Sequence, residues 1–138
     1  MTSEMIRDLL ASTDYLIVNE HEALDAAAGI GLSMFDFRAA ADKLAKAGDL
    51  TCVVTAGAEG AVAATADDSH LQAPSLNIRP VDTTGAGDAF VGAFACALDE
   101  KATLQKSLEV GCEAASLKCL RAGAQNGMPM RGALRSIT

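Results

Sequence analysis

The sequence has few large side chains for a chain of its hydrophobicity. Its 138 residues include no tryptophan, one tyrosine and four phenylalanines, so aromatic residues make up 4% of a chain that is 50% hydrophobic. Small residues, above all alanine, supply much of the hydrophobic share. We therefore expect a core that depends on close approach of backbones more than on bulky side chains.

Positive charge is also scarce. Lys and Arg number 11 against 18 Asp and Glu, which gives a net charge of −7, and the basic residues are scattered along the chain. No basic face is visible, which argues against nucleic acid as a partner. An acidic protein that binds an anion has to do so with local groups, such as the backbone amides at a helix N-terminus.

The chain contains no apolar run of the length that crosses a membrane, and its first 12 residues form an acidic amphipathic segment that does not resemble a signal peptide. Its cysteines form no CxxC pair and have no histidine at ligand spacing, which argues against zinc. They are Cys52, Cys96, Cys112 and Cys119. These features predict a cytoplasmic protein with reduced thiols and no membrane partner.

Hydrophobic periodicity predicts a single α/β domain over residues 1–138. The expected strands are 14–20 and 50–57, a hairpin follows at 60–74, and 75–82 reads as an extended segment. The expected helices are 1–12, 21–29, a helix capped by Ser33 and ending at Gly48, 87–98 and 103–120. This order predicts a mostly parallel sheet with flanking helices in layers of the Rossmann type. A sheet this small leaves one side uncovered, so we expect it to continue in a further segment.

The segment PVDTTGAGDAF, residues 80–90, places a glycine turn where a helix begins. Glycine permits positive φ and close backbone approach, and the first amides of a helix are unpaired, so Gly85-Ala86-Gly87 predicts an anion hole. A phosphoryl group in transfer would suit it. Asp88 follows in the first helical turn. Its carboxylate is either a helix-stabilising acid or a general base for an attacking hydroxyl, and the spacing alone leaves both open.

The longer stretch DTTGAGDAFVGAFA, residues 82–95, resembles the signature of the ribokinase, or PfkB-type, carbohydrate kinases. Three other stretches resemble family motifs in the same order: N-x-x-E at residues 19–22, T-x-G-x-x-G at 55–60, and the tail R-x-G-A-Q…P at 121–129. The resemblance covers essentially the whole chain. It implies a ribokinase-like fold of which this chain is the nucleotide-binding C-terminal half, without the N-terminal sugar-binding half and lid.

The activity implied by the resemblance is ATP-dependent phosphorylation of a hydroxyl on a sugar or sugar derivative. Asp88 would be the catalytic base, and the amides of Gly85, Ala86 and Gly87 would form the anion hole. ATP and a small sugar are the implied ligands. The positions that match nucleotide-contacting residues of the family are Asn19, Thr55, Gly57, Gly60, Gly87 and Cys112, the last where ribokinases place a residue against the adenine.

Two metal ions are implied by the same resemblance. Asn19 and Glu22 would order Mg2+ and the phosphates through water. A monovalent cation, usually K+, would be held by residues matching Asp82, Thr84, Lys118, Arg121, Gly123 and Gly127. Ribokinases often carry serine where this chain has Gly127, so one cation ligand differs.

Several alternatives stay open on the sequence. Asn19 and Glu22 are also typical of a helix cap, residues 55–60 of an ordinary turn, and Gly123 of a helix end. A non-catalytic nucleotide- or phosphate-binding module is the alternative function; a dinucleotide-dependent oxidoreductase is disfavoured, because no G-x-G-x-x-G follows the first strand. Without an acceptor site we expect this chain alone to be inactive. We also expect its open sheet edge to favour a homo-oligomer or self-association.

Overall fold

The computed structural model of the chain describes residues 2–77 and 81–120. The described chain contains both helices and a sheet, which confirms the α/β class. The helices are α1 (Ser3–Ala11), α2 (Glu20–Gly29), α3 (Phe37–Gly48), α4 (Ala86–Asp99) and α5 (Leu104–Lys118). The strands are β1 (Tyr15–Asn19), β2 (Thr51–Thr55), β3 (Ala61–Ala64) and β4 (His70–Ala73), and a short 3-10 helix covers Gly57–Glu59.

The four strands form one sheet in the order β1-β2-β3-β4. β1 and β2 are parallel, in a register that runs from Tyr15 opposite Thr51 to Asn19 opposite Thr55. The connections at 56–60 and 65–69 are too short for a parallel crossover, so β2, β3 and β4 follow one another as hairpins. The expected hairpin at 60–74 is confirmed. The described parts of the expected extended segment, 75–77 and 81–82, contain no strand.

The chain divides into two compact units. The first comprises Met1–Ala56 and Val62–Leu71, and the second comprises Gly57–Ala61 and Gln72–Thr138. In the first unit, alternate residues of the strands, such as Val18 and Val54, pack against residues of α1, α2 and α3. This follows from the alternation of side chains along a strand.

The expected apolar stripe of α3 is confirmed, because Phe37, Ala40, Ala41 and Leu44 are all buried. The expected cap is wrong. The cap is Asp36 and not Ser33. The Asp36 side chain accepts a hydrogen bond from the backbone N–H of Arg38 at 3.0 Å, and the helix begins at the next residue, Phe37. Two capping-type residues precede this helix, and the closer one is used.

The second unit is built around α4 and α5. Phe90 and Phe94, one helical turn apart on α4, are each 1% exposed, and their rings stack with centroids 5.7 Å apart. A Cβ at Gly111 would lie 2.6 Å from the Phe90 ring, so α5 approaches that ring through a residue without a side chain. The core here depends on close backbone approach, as the composition predicts.

Candidate functional site

The N-terminal end of α4 carries the glycine turn and the acid singled out in the sequence. Gly85 immediately precedes α4 and has φ of 81°, a left-handed conformation that favours glycine. Asp88 lies in the first turn of the helix with its side chain exposed. The carboxylate therefore faces solvent beside the turn and not the interior of the second unit.

The backbone amides around this turn are only partly occupied. The N–H of Thr84 donates to Asp82 Oδ1 at 2.8 Å, that of Ala86 to the Thr83 carbonyl at 3.2 Å, and that of Ala89 to the Gly85 carbonyl at 2.9 Å. Within the described part of the chain, no hydrogen bond is formed by the amides of the three remaining residues. These are Gly85, Gly87 and Asp88.

The amides left open by these hydrogen bonds differ from the expected anion hole at one residue. We expected the N–H of Ala86 to be open together with those of Gly85 and Gly87. It instead donates to the Thr83 carbonyl, because residues 83–86 form a hydrogen-bonded turn. The amide of Asp88 takes its place among the open donors. Gly87 is exposed, and a Cβ there would meet no described heavy atom within 4 Å, so the space in front of these amides is open.

Asp82 is held against the C-terminal end of α5. Its backbone N–H donates to the Cys119 carbonyl at 3.1 Å, and the N–H of Val81 donates to the same oxygen at 2.7 Å. The structure thus brings Asp82 into contact with Cys119, the residue that follows Lys118, and Thr84 in turn donates to the Asp82 side chain. The side chain of Lys118 is fully buried. The other expected cation ligands, Arg121, Gly123 and Gly127, lie outside the described residues.

Asn19 and Glu22 form a reciprocal cap on α2. The N–H of Glu22 donates to Asn19 Oδ1 at 2.8 Å, and the N–H of Asn19 donates to Glu22 Oε1 at 3.0 Å. The capping alternative is therefore realised, and it is worth about 0.5–2 kcal/mol to the helix. Both side chains are exposed, and among the described residues the cap uses only Oε1 of Glu22 and leaves Oε2 without a protein partner.

Thr55 ends β2 directly opposite Asn19 in the parallel pair, so these two expected ligand-binding residues are neighbours in the first unit. The Thr55 hydroxyl donates to the Val18 carbonyl at 3.5 Å. The carboxyl ends of parallel strands are where ligands bind in α/β sheets.

Gly57 and Gly60 both have positive φ, 54° and 88°, and the N–H of Gly60 donates to the Gly57 carbonyl at 3.0 Å. A side chain at Gly60 would collide with the backbone of Ala73 and Pro74. Glycine is thus required at 60 by conformation and by packing.

Cys112 contacts the same Ala73 carbonyl. Its thiol donates to that oxygen at 3.6 Å and is 4% exposed. Burial, with a smaller effect of the Glu109 charge, raises the pKa of Cys112 to about 11. The structure therefore places two of the expected nucleotide-contacting residues of the second unit, Gly60 and Cys112, together around Ala73.

A pair of serines in the second unit was missed by the sequence reasoning. Ser116 on α5 is buried, and its hydroxyl lies 3.1 Å from the hydroxyl of Ser75 and accepts a hydrogen bond from the Leu76 N–H at 3.1 Å. This contact ties the segment after β4 to α5. A serine on the buried face of a helix, one turn from Cys112, was the available signal.

A second polar cluster lies in the first unit, where Asp42, Asp68 and His70 place potential metal ligands within 4.8 Å of one another. The ammonium of Lys46 already lies 3.1 Å from Asp42 and 2.9 Å from Asp68, and His70 lies 3.1 Å from Asp42. This is an ion-pair network that joins α3 to the β3–β4 hairpin. It holds its own cation, so we assign no metal to it.

No helix among the described residues combines the length and the apolar character needed to cross a membrane.

Comparison with known proteins identifies the family of this chain. The sequence profile of the family described as "pfkB family carbohydrate kinase" matches residues 2–131. A ribokinase of Lactococcus lactis is 33% identical over 123 residues, which cover 88% of this chain and 37% of that protein. A nucleoside kinase of Methanocaldococcus jannaschii is 27% identical over 129 residues, 93% of this chain and 40% of the relative.

Solved structures of ribokinases have the same fold as this chain. The ribokinase of Thermotoga maritima superposes with a TM-score of 0.88 at 29% identity, over 95% of this chain and 44% of that one. The Arabidopsis thaliana ribokinase, solved with ribose and ATP, gives a TM-score of 0.82 at 31% identity, over 95% and 42% of the two chains. The chain thus spans less than half the length of the relatives it matches. With a family profile that covers nearly all of it, the chain belongs to the pfkB family of carbohydrate kinases.

Proposed function

We propose that this chain carries the nucleotide-binding and proton-accepting part of an ATP-dependent kinase that phosphorylates a hydroxyl of a sugar or sugar derivative. The observation that carries the proposal is the N-terminal end of α4, where three open amides adjoin an exposed carboxylate. The family relatives include ribokinases and a nucleoside kinase, and one solved relative contains ribose and ATP.

In this proposal the amides of Gly85, Gly87 and Asp88 bind the terminal phosphate of ATP and stabilise the negative charge that develops during transfer. Helix N-termini suit this role, because their free N–H groups and the helix dipole both favour an anion. The Asp88 carboxylate accepts the proton of the attacking hydroxyl, whose oxygen forms the new bond to phosphorus as the bond to ADP breaks.

The remaining expected residues take supporting roles. Thr55, Gly57, Gly60 and Cys112 line the nucleotide, with Gly60 and Cys112 placed together around Ala73. Oxygen ligands are what Mg2+ prefers, and Glu22 offers a carboxylate oxygen that the α2 cap does not use. We assign it to order Mg2+ and the phosphates through water, together with Asn19.

A monovalent cation site forms part of the proposal. The backbone N–H groups of Val81 and Asp82 both donate to the carbonyl of Cys119, the residue that follows α5. This contact supports a site made of Asp82, Thr84 and the carbonyl of Lys118. Arg121, Gly123 and Gly127 would complete it. K+ would act there by fixing the segment that leads to the glycine turn.

A cytoplasmic location completes the proposal. Cys52 and Cys112 are buried in the core as thiols, as in a protein of a reducing compartment.

The test is Asp88→Asn in an enzyme made by fusing this chain to the acceptor-binding portion of the Lactococcus lactis ribokinase. Removal of a general base lowers kcat by about 10²–10⁴-fold, while the dissociation constant for ATP changes little. Asp99→Asn, at the far end of the same helix, is the matched control and leaves both constants unchanged. Unchanged turnover in Asp88→Asn would contradict the role and favour a non-catalytic nucleotide- or phosphate-binding module.

A further inference from the structure

Two serines on α5 are buried, and they use their hydroxyls differently. Ser107 is 0% exposed, and its hydroxyl donates to the Thr103 carbonyl at 2.8 Å, one turn earlier in the chain. That bond is the usual local contact of a serine in a helix. Ser116 is 4% exposed, and its hydroxyl contacts a different part of the second unit. Because buried polar groups are generally bonded to what they hold in place, this contact indicates that Ser116 fixes another segment.

The segment that Ser116 contacts comprises residues 74–85, of which 74–77 and 81–85 are described, and we call it the segment after β4. The N–H of Leu76 donates to Ser116 Oγ at 3.1 Å. The hydroxyl of Ser75 lies 3.1 Å from the same oxygen, and either hydroxyl can donate. Ser116 therefore attaches both the main chain and a side chain of this segment to α5.

The segment after β4 is attached to α5 on both sides of this contact. On one side, the Ala73 carbonyl accepts a hydrogen bond from the Cys112 thiol at 3.6 Å. On the other side, the N–H of Asp82 donates to the Cys119 carbonyl at 3.1 Å. Positions 112, 116 and 119 follow one another along one face of α5, since they have the spacing i, i+4 and i+7. The segment and the helix are thus joined at three successive positions.

These three positions connect the two ends of the proposed nucleotide site. The first lies at Ala73, beside Gly60 and Cys112, which are assigned to the nucleotide. The last lies at Asp82, three residues before the turn whose amides are assigned to the terminal phosphate. Positions 112 and 119 are about 10 Å apart along the helix axis, from the rise per residue. Ser116 holds the segment between these two ends.

We propose that Ser116 is a positioning residue for ATP, which fixes the segment after β4 so that the nucleotide contacts around Ala73 and the open amides before α4 are correctly spaced. This rests on the proposed function, since it concerns the same site. In the proposal Ser116 does not touch the nucleotide. It acts on a ligand that reaches both ends of the segment, because misplacement of binding groups by about 1 Å can be costly. A nucleotide with a single phosphate reaches only the first end.

The first test uses the 15N-labelled chain without nucleotide. Ser116→Ala leaves the Leu76 N–H without its acceptor, so we expect exchange of that amide to accelerate about tenfold. We also expect the amide signals of Gly85 and Gly87 to shift, although both lie far from residue 116 in the sequence. Ser107→Ala is the matched control, because it removes an equally buried hydroxyl from the same helix and leaves these signals unchanged.

The second test compares the dissociation constants for magnesium ATP and for AMP, measured by titration of the same chains. In Ser116→Ala the constant for ATP is expected to rise about tenfold, whereas that for AMP stays unchanged. Ser116→Thr keeps the hydroxyl and is expected to restore the wild-type ratio of the two constants. Ser75→Ala leaves the bond between Leu76 and Ser116 in place and is expected to have a smaller effect on ATP. Ser107→Ala is again the control and changes neither constant.

Two results would overturn the proposal. Equal losses of ATP and AMP affinity in Ser116→Ala, or unchanged signals of Gly85 and Gly87 in the first test, would show that Ser116 only stabilises α5. Failure of the proposed function has a different signature, because ATP would then leave the amides before α4 unshifted in the wild-type chain. The first test needs no nucleotide, so it decides in either case whether Ser116 positions the turn.

Discussion

At the scale of single residues, the turn before α4 shows which backbone groups make a glycine turn suitable for binding an anion. The three open amides at Gly85, Gly87 and Asp88 result from one left-handed residue and from a short turn that uses the Ala86 N–H. The sequence could predict Asp88 in the first helical turn, because glycine and the apolar spacing mark the start of α4. It could not predict which amides stay open, because that depends on the dihedral angles of residues 83–86.

The cysteines give a prediction at the same scale. Burial raises the pKa of Cys52 to about 12 and contributes most to raising that of Cys112 to about 11. Thiol alkylation needs the thiolate and access to it. At about pH 8 we expect iodoacetamide to modify the exposed Cys96 and to leave Cys52 and Cys112 unmodified until the chain is unfolded, as measured by mass spectrometry. Modification of Cys112 at the rate of Cys96 would contradict the buried position of its thiol.

At the scale of elements, glycines on α4 and α5 have opposite expected effects. A Cβ at Gly111 would lie 2.6 Å from the Phe90 ring, so Gly111→Ala forces α4 and α5 apart and is expected to cost about 1–3 kcal/mol of unfolding free energy. Gly92→Ala is the matched control, because its Cβ meets no described atom and alanine favours a helix by about 0.5–1 kcal/mol. Urea denaturation measures both, and equal effects would contradict the packing.

The ion-pair network of the first unit makes stability depend on pH. A hydrogen bond from Lys46, with a further one from His70, holds the pKa of Asp42 below its usual 3.8. The network's contribution to stability is therefore complete above that value and is lost as the pH falls through the lower pKa of the folded chain.

The variant that reports this effect is Asp42→Asn. Its Tm is expected to lie below that of the wild type at about pH 6, and the difference is expected to shrink towards about pH 3. Asp8→Asn on α1 is the control and should follow the wild type at both pH values. A difference that is constant with pH would show that Asp42 acts through packing and not through its charge.

The elements themselves were largely predictable. The hairpin at 60–74 and the apolar stripe of α3 follow from periodicity, which local side chains determine. The first residue of α3 could not be predicted in this way, because Ser33 and Asp36 are both suitable caps and the structure uses Asp36. The Gly60–Ala73–Cys112 contact joins residues far apart in sequence, so periodicity alone could not reveal it.

At the scale of the whole molecule, the proposed function assigns this chain only one part of the chemistry. A base and an anion hole accelerate transfer only when the acceptor hydroxyl is positioned and water is excluded. We expect the chain alone to bind ATP and to phosphorylate ribose no faster than buffer, measured by coupled ADP release. Normal turnover by the chain alone would show that it contains its own acceptor site.

Self-association of the isolated chain remains a prediction at this scale. The open β1 edge favours it, and the acidic residues at both ends of β1 oppose it, so we expect weak association in light scattering at micromolar concentration. A monomer at all concentrations would count against an exposed, pairing-competent edge.

The central claim is that the open amides before α4 bind the terminal phosphate of ATP. Nuclear magnetic resonance of the 15N-labelled chain, titrated separately with magnesium ATP and with AMP, tests it directly. The account predicts that ATP shifts the amide signals of Gly85, Gly87 and Asp88 together with those of Gly60 and Cys112, whereas AMP shifts only the last two. ATP that moves Gly60 and Cys112 and leaves the three amides at the start of α4 unchanged would contradict it.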